Sequence, residues 1–155
     1  MTAMRINRYI SASGYCSRRQ ADKLIEAGKV TINGDPAELG AQVEPGDLVE
    51  VEGRALYLPT KDDLVYIAFN KPPGIVCTSN RDVPGNIIDY INFPQRIFTV
   101  GRLDRDSRGL ILLTNDGSIV NPLIHARNQQ AKEYRVRVNR RITDDFLEKM
   151  SSGVA

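Results

Sequence analysis

The sequence has few of the residues that build metal and redox sites. Its 155 residues include two cysteines, Cys16 and Cys77, one histidine, His125, and no tryptophan. The cysteines lie far apart and form neither a C-x-x-C pair nor a Cys/His cluster, which argues against a zinc site. We therefore expect no metal site and a reduced, cytoplasmic protein.

Long apolar runs and nucleotide-binding motifs are missing as well. No run approaches the roughly 18 residues of a membrane span, and no signal sequence opens the chain. The sequence contains no G-x-x-x-x-G-K-[ST], no G-x-G-x-x-G and no G-x-S-x-G. We expect no membrane association and no cofactor.

With 41% hydrophobic and 26% charged residues, the chain is expected to fold as one ordinary domain or two small ones.

The net charge of +2 conceals an uneven distribution. Residues 1–30 carry six basic and two acidic side chains, whereas residues 31–60 carry one basic and six acidic ones. A basic head followed by an acidic stretch predicts one face that meets a polyanion.

Local signals at the N-terminus predict two helices and a hairpin. Ile6 and Ile10 lie on one helical face that ends at Gly14, and Ser17 begins a capping box for a second helix. The Asn-Gly pair at 33–34 predicts a hairpin turn. We expect this unit to end near residue 58, followed by a linker at residues 59–63.

On spacing alone, the arginines of these helices could belong to a solvated surface or to a DNA-reading helix-turn-helix, although the latter would not need the hairpin. The pattern RINRYISASGYCSRRQADKLIEAGKVTING resembles an S4 domain, a small RNA-binding module, over about residues 5–52. The resemblance implies an RNA-binding face at the following positions: Arg5, Arg8, Ser17, Arg18, Arg19 and Asn33.

The rest of the chain alternates between predicted strands and short helices. LVYIAFN (64–70) predicts a strand that resumes as IVCTS after a Lys-Pro-Pro-Gly turn, and LILLTNDG predicts another. NIIDYIN (86–92) and SIVNPLIH predict short helices, EYRVRVN (133–139) alternates as a strand, and a last helix is expected from Thr143 to about Met150.

The segment VGRLDRDSRGLILLTNDG (100–117) contains a candidate catalytic carboxylate. Asp104 is flanked by Arg102, Arg105 and Arg108, and nearby arginines stabilise an ionised carboxylate. Asp104 and Asp106 would face the same side of an extended strand, so an acid/base pair is conceivable. The alternative is a polar loop with surface ion pairs.

The order of an S4-like unit, NKPPGIVCT (70–78), GRLDRDSRGLILLTNDG and KEYRVRV (132–138) is similar to the RsuA/RluB/RluF group of ribosomal RNA pseudouridine synthases. NIIDYIN and LDRDSRGLILLTN resemble the RluF branch most, which favours 23S RNA as the substrate. The resemblance implies an α+β fold on a mixed, mainly antiparallel sheet. It also implies an S4 domain at residues 1–58, a linker at 59–63 and a partial catalytic domain at 64–155.

The resemblance also assigns roles to side chains. Asp104 would be the catalytic carboxylate, Arg102 would fill the gap left by the flipped nucleotide, and Tyr134 would stack on the target base. We further expect Lys71 and Arg105 to contact RNA. The implied reaction is an isomerisation that needs no cofactor, carried out by a monomer.

One part of the family pattern is missing. The resemblance implies a later G-x-x-R-Q-[IL]-R-R-M block whose arginine pairs with the catalytic aspartate, and this sequence has no such block. We therefore expect a piece of a longer synthase, inactive by itself. The alternatives are a non-catalytic S4-type RNA-binding protein and, with less support, a DNA-binding regulator.

Overall fold

The computed structural model describes residues 3–124, 133, 135 and 137–153. These residues form helices and antiparallel sheets, which confirms the predicted α+β class. The helices are α1 (Ile6–Ala12), α2 (Arg18–Glu26), α3 (Ile87–Ile91), α4 (Val120–Ile124) and α5 (Asp144–Ser152). The strands are β1 (Met4–Arg5), β2 (Val30–Ile32), β3 (Asp35–Pro36), β4 (Gln42–Val43), β5 (Val49–Val51), β6 (Arg54–Leu56), β7 (Tyr66–Lys71), β8 (Phe98–Val100) and β9 (Gly109–Thr114).

The N-terminal elements enclose one hydrophobic core. Strands β3, β2, β5 and β6 form an antiparallel sheet in that order, and β1 pairs with β4 beside it. Ile6 and Ile10 of α1 pack with Ile25 of α2 and with the apolar side chains of the sheet. Removal of these side chains from water supplies the main driving force for folding this region.

The predicted local signals of this region are present. Ser17 accepts a hydrogen bond from the backbone N–H of Gln20, and the Gln20 side chain accepts from the Ser17 N–H, which forms the capping box of α2. Asn33 and Gly34 have φ of 55° and 89°, as a tight turn between β2 and β3 requires.

A short 3-10 turn, Lys61–Asp63, joins this region to the next one. Asn115, which follows β9, binds the connecting segment on both sides. Its Nδ2 donates to the Asp63 carbonyl at 2.8 Å, and its Oδ1 accepts from the Val65 N–H at 2.8 Å. The side chain of Asn115 therefore holds the start of β7 in place.

The second region is built on a three-stranded antiparallel sheet in the order β7-β9-β8. Phe69 pairs with Ile111 and Ile67 with Leu113, so apolar side chains of both strands share one face. That face packs against α3, from which Ile87 and Ile88 enter the core. The expected helices at 86–92 and after Ser118, and the last helix, are confirmed as α3, α4 and α5.

One predicted strand is wrong. The IVCTS segment forms an isolated parallel bridge, between Val76 and Asn86, in place of a ladder. The Asn86 side chain donates to the Val83 carbonyl, which closes the loop between them. The predicted strand at 133–139 depends on residues 134 and 136, which lie outside the described residues.

Candidate active site and RNA-binding surface

Asp104 lies in a tight turn between β8 and β9. Its backbone carbonyl accepts a hydrogen bond from the Ser107 N–H at 3.1 Å, and the residue is exposed to solvent. Among the described residues, no hydrogen bond or ion pair engages its carboxylate. The turn therefore presents a carboxylate that is open to an incoming substrate.

A buried lysine holds this turn from beneath. Lys71, at the end of β7, is 0% exposed, and its Nζ donates to the carbonyls of Pro72 (2.9 Å), Arg105 (2.9 Å) and Ser107 (2.7 Å). An ammonium group has three N–H donors, so all three are used. Two of the acceptors belong to the turn after Asp104, and hydrogen bonds from a charged donor are stronger than neutral ones.

The prediction that Lys71 contacts RNA is therefore wrong. Its ammonium group faces the protein interior and has no N–H left for a phosphate oxygen. The sequence suggested a surface cation because lysines are rarely fully buried. What the pattern could not reveal is that three carbonyls converge on this position.

Two further hydrogen bonds join the Asp104 turn to the turn after β7. The Gly74 N–H donates to the Arg105 carbonyl at 2.7 Å, and the Leu103 N–H donates to the Cys77 Sγ at 3.5 Å. Gly74 has a φ of +88°, a conformation that suits glycine. Residues on both sides of Asp104 are thus held by the segment 71–77.

The expected extended strand at Asp104 and Asp106 is wrong, because residues 105–106 form the turn itself. The two carboxylates therefore do not share one face of a strand. Arg102, Arg105 and Arg108 are exposed, and among the described residues none forms an ion pair with Asp104. Arg102 and Arg108 flank the turn in the sequence, and Arg105 lies in it.

The predicted RNA-binding residues at the N-terminus differ in what their side chains do. Arg5, Arg8, Arg18 and Arg19 are exposed. In contrast, the hydroxyl of Ser17 caps α2, and the Asn33 side chain donates to Asp47 at 2.8 Å and accepts from the Leu48 N–H at 2.9 Å. Those two side chains serve the fold, and their contact with RNA stays a prediction.

Two family models match this chain, one in each of its two regions. Residues 65–153, more than half of the chain, match the model of the RNA pseudouridylate synthase family, and residues 4–49 match the S4 domain. The chain belongs to the RNA pseudouridylate synthase family.

The similar proteins include curated synthases from several bacteria. The chain is 52% identical over 153 residues to the dual-specificity RNA pseudouridine synthase RluF of Salmonella typhi, covering 99% of this chain and 53% of that protein. It is 36% identical to ribosomal large subunit pseudouridine synthase B of Bacillus subtilis, covering 97% and 62%. The chain thus spans about half to three fifths of the length of these relatives.

A solved pseudouridylate synthase is also similar. The two sequences are 32% identical, and the match covers 80% of this chain and 54% of the solved chain, with a TM-score of 0.42.

Tyr134, the predicted stacking residue, lies outside the described residues. Within the described ranges, no group of three or more His, Cys, Asp or Glu side chains could hold a metal ion. No helix in those ranges is long and apolar enough to span a bilayer.

Proposed function

We propose that this chain is part of an enzyme that converts a specific uridine of ribosomal RNA to pseudouridine, with Asp104 as the catalytic carboxylate. The observation that carries the proposal is the Asp104 turn, in which an exposed carboxylate is presented by a backbone that Lys71 and Gly74 hold in place. Such preorganisation suits a group that must meet a reacting sugar or base at a defined angle.

The reaction balances without any added group. The bond from uracil N1 to the ribose breaks, the base rotates, and a bond from C5 to the same ribose carbon forms. The proton of C5 is released and N1 gains one. The base must leave the RNA stack first, which costs a few kcal/mol, and we assign Arg102 to fill the gap and Tyr134 to stack on the base.

We also propose the large-subunit (23S) RNA as substrate, because a relative at 36% identity is named a ribosomal large subunit pseudouridine synthase. The division into an RNA-binding unit at residues 1–58, a linker at 59–63 and a partial catalytic domain at 64–155 is supported by two separate hydrophobic clusters. We also propose that the protein acts in the cytoplasm and that it acts as a monomer. Sedimentation of the purified protein with and without RNA would test its oligomeric state.

The direct test is Asp104→Asn in the longest natural protein that contains this chain. The amide keeps the shape of the side chain but removes its charge, so tritium release from C5-labelled uridine in ribosomal RNA should fall by several orders of magnitude. RNA affinity should persist, because phosphate contacts dominate it.

Asp106→Asn is the matched control, since it makes the same change two residues away in the same turn, and it should keep most of the activity. Near-normal tritium release by Asp104→Asn would refute the proposal. A parent protein that binds ribosomal RNA without converting any uridine would favour the alternative of a binding-only S4 protein, which the S4 match supports.

A further inference from the structure

A groove of about 1000 Å³ lies between the start of α2 and two segments of the second region. The second region contributes residues 78–82 and 93–97 to it. The charged side chains of its lining, among the described residues, are four arginines and one aspartate: Arg18, Arg19, Arg81, Arg96 and Asp82. The groove is therefore a basic channel that joins the N-terminal helices to the sheet region.

Arg96 is placed to receive an anion. It is half-buried, and burial lowers the pKa of its guanidinium from the ordinary value. Its Nη1 donates to the Ser11 carbonyl at 3.5 Å, the single hydrogen bond that the described residues give its side chain. A guanidinium has five N–H donors, so most of them remain available to a phosphate oxygen, which would also offset the cost of burial.

Arg81 stands on the opposite segment and is exposed. Its Nε lies 3.6 Å from the Asp89 carboxylate, in an ion pair whose two side chains are 68% and 49% exposed. Such exposed pairs contribute little free energy. Arg81 can therefore turn from Asp89 to a phosphate at little cost.

The groove also contains two aromatic side chains. Tyr15 and Phe93 line it, and both are half-buried. Cations combined with aromatic rings are typical of surfaces that bind single-stranded nucleic acid, because the rings stack on unpaired bases while the cations meet the backbone. This combination favours a single strand over a duplex as the occupant.

One wall of the groove is connected to the Asp104 turn by a hydrogen bond. Thr78, which lines it, follows Cys77 in the chain, and the Cys77 Sγ accepts the hydrogen bond of the Leu103 N–H. Leu103 is the residue before Asp104. The wall of the groove at Thr78 is thus linked, through Cys77 and Leu103, to the turn that holds the candidate catalytic carboxylate.

We propose that a single-stranded stretch of the RNA substrate lies in this groove, with Arg81 and Arg96 contacting phosphates next to the flipped uridine. The inference rests on the proposed function and extends the RNA-binding surface from α2 to the Asp104 turn. A single-stranded flank would also make it easier for the target uridine to leave the RNA stack, because it lowers the free-energy cost of flipping the base.

The test compares binding of two probes to the longest natural protein: a fluorescein-labelled single-stranded RNA 12-mer and the 12-base-pair duplex of the same sequence. For Arg81→Gln with Arg96→Gln, affinity for the single strand at low salt should fall about tenfold. The slope of log affinity against log salt should shrink by about 0.7 for each lost phosphate contact. Duplex affinity should change less than twofold. Lys61→Gln, which removes an exposed charge outside the groove lining, should change neither.

Arg81→Gln alone guards against misfolding, because the Arg81 side chain is largely exposed. For this single variant, the slope of log affinity against log salt should shrink by about 0.7, as expected for the loss of one phosphate contact. Unchanged single-strand affinity and salt slope in the double variant would contradict the proposal that RNA lies in the groove. Equal losses of affinity for the single strand and the duplex would contradict it as well. Failure of the proposed function is distinguishable, because then the parent protein itself releases no tritium from labelled RNA, whatever the groove variants bind.

Discussion

The two regions of the chain differ in how completely their apolar surfaces are covered. In residues 4–56, a closed core contains Ile6, Ile10 and Val49, all 0% exposed. In the second region, β9 buries Leu113 fully but leaves Leu110 69% exposed on its other face. The run LILL has no polar alternation, a pattern typical of strands covered on both faces. The described residues cover one of these faces.

This difference indicates which contacts stabilise each region. The first region contains readable local signals, such as the Ser17–Gln20 capping box, and a hydrophobic core of its own. The second region depends on contacts between distant segments, such as those from Lys71 to the carbonyls of 105 and 107. The comparison can be tested by substitutions that remove a core contact, a long-range anchor, a helix cap or an ion pair.

The largest effect is expected from Leu113→Ala. The change opens a cavity in the core of the second region and should lower the free energy of unfolding by about 2–5 kcal/mol. Leu110→Ala, three residues earlier on the same strand, should change it by less than about 0.5 kcal/mol. Urea denaturation followed by circular dichroism measures both. Equal losses would mean that the outer face of β9 is covered after all.

The next effect is expected from Lys71→Met, which fills a similar volume but removes the ammonium group. The carbonyls of Pro72 and Ser107 lose a hydrogen bond inside the protein, at a cost of about 2–3 kcal/mol. The amide hydrogens of Gly74 and Ser107 should exchange faster, because both donate to carbonyls of the Asp104 turn.

Lys61→Met, at an exposed lysine, is the matched control and should leave both amides protected. Slow exchange at Gly74 and Ser107 in Lys71→Met would show that the turn holds its shape without the lysine.

The sequence reveals those parts of the fold that short-range chemistry specifies. Ser17 and Gln20 lie three residues apart, and Asn33 precedes Gly34, so both signals are readable within a few positions. The same reasoning misread Lys71, because its three acceptors lie up to 36 residues away along the chain. It also missed Arg81 and Arg96, since a groove between two regions has no local pattern.

A smaller effect is expected at the helix caps, and it should differ between regions. Ser17→Ala removes the acceptor for the Gln20 N–H, and α2 packs in the first core, so the free energy of unfolding should fall by about 1 kcal/mol. Thr143 caps α5 in the same way, but no residue of α5 is buried. Thr143→Ala should therefore affect local fraying alone, seen as faster exchange within α5. Equal global losses would contradict this difference.

The smallest effect is expected from the ion pair of Lys29 and Glu52, 2.6 Å apart on the surface of the first region. Hydrogen bonds from Lys29 and Tyr15 lower the pKa of Glu52, and the bond to Glu52 raises the pKa of Lys29. A lowered carboxyl pKa gives stability that is present above the unfolded pKa, near 4.5, and lost as pH falls through the folded pKa. The lysine contribution is complete below the unfolded pKa of the lysine and is lost as pH rises through its raised folded pKa.

Amide exchange in β5 and β6 should therefore be faster in Glu52→Gln than in the native chain at pH 7, and this difference should vanish in acid. Glu38→Gln, at an exposed glutamate without an ion pair among the described residues, should show no such pH dependence, and a loss equal to that of Glu52→Gln would assign the effect to net charge alone.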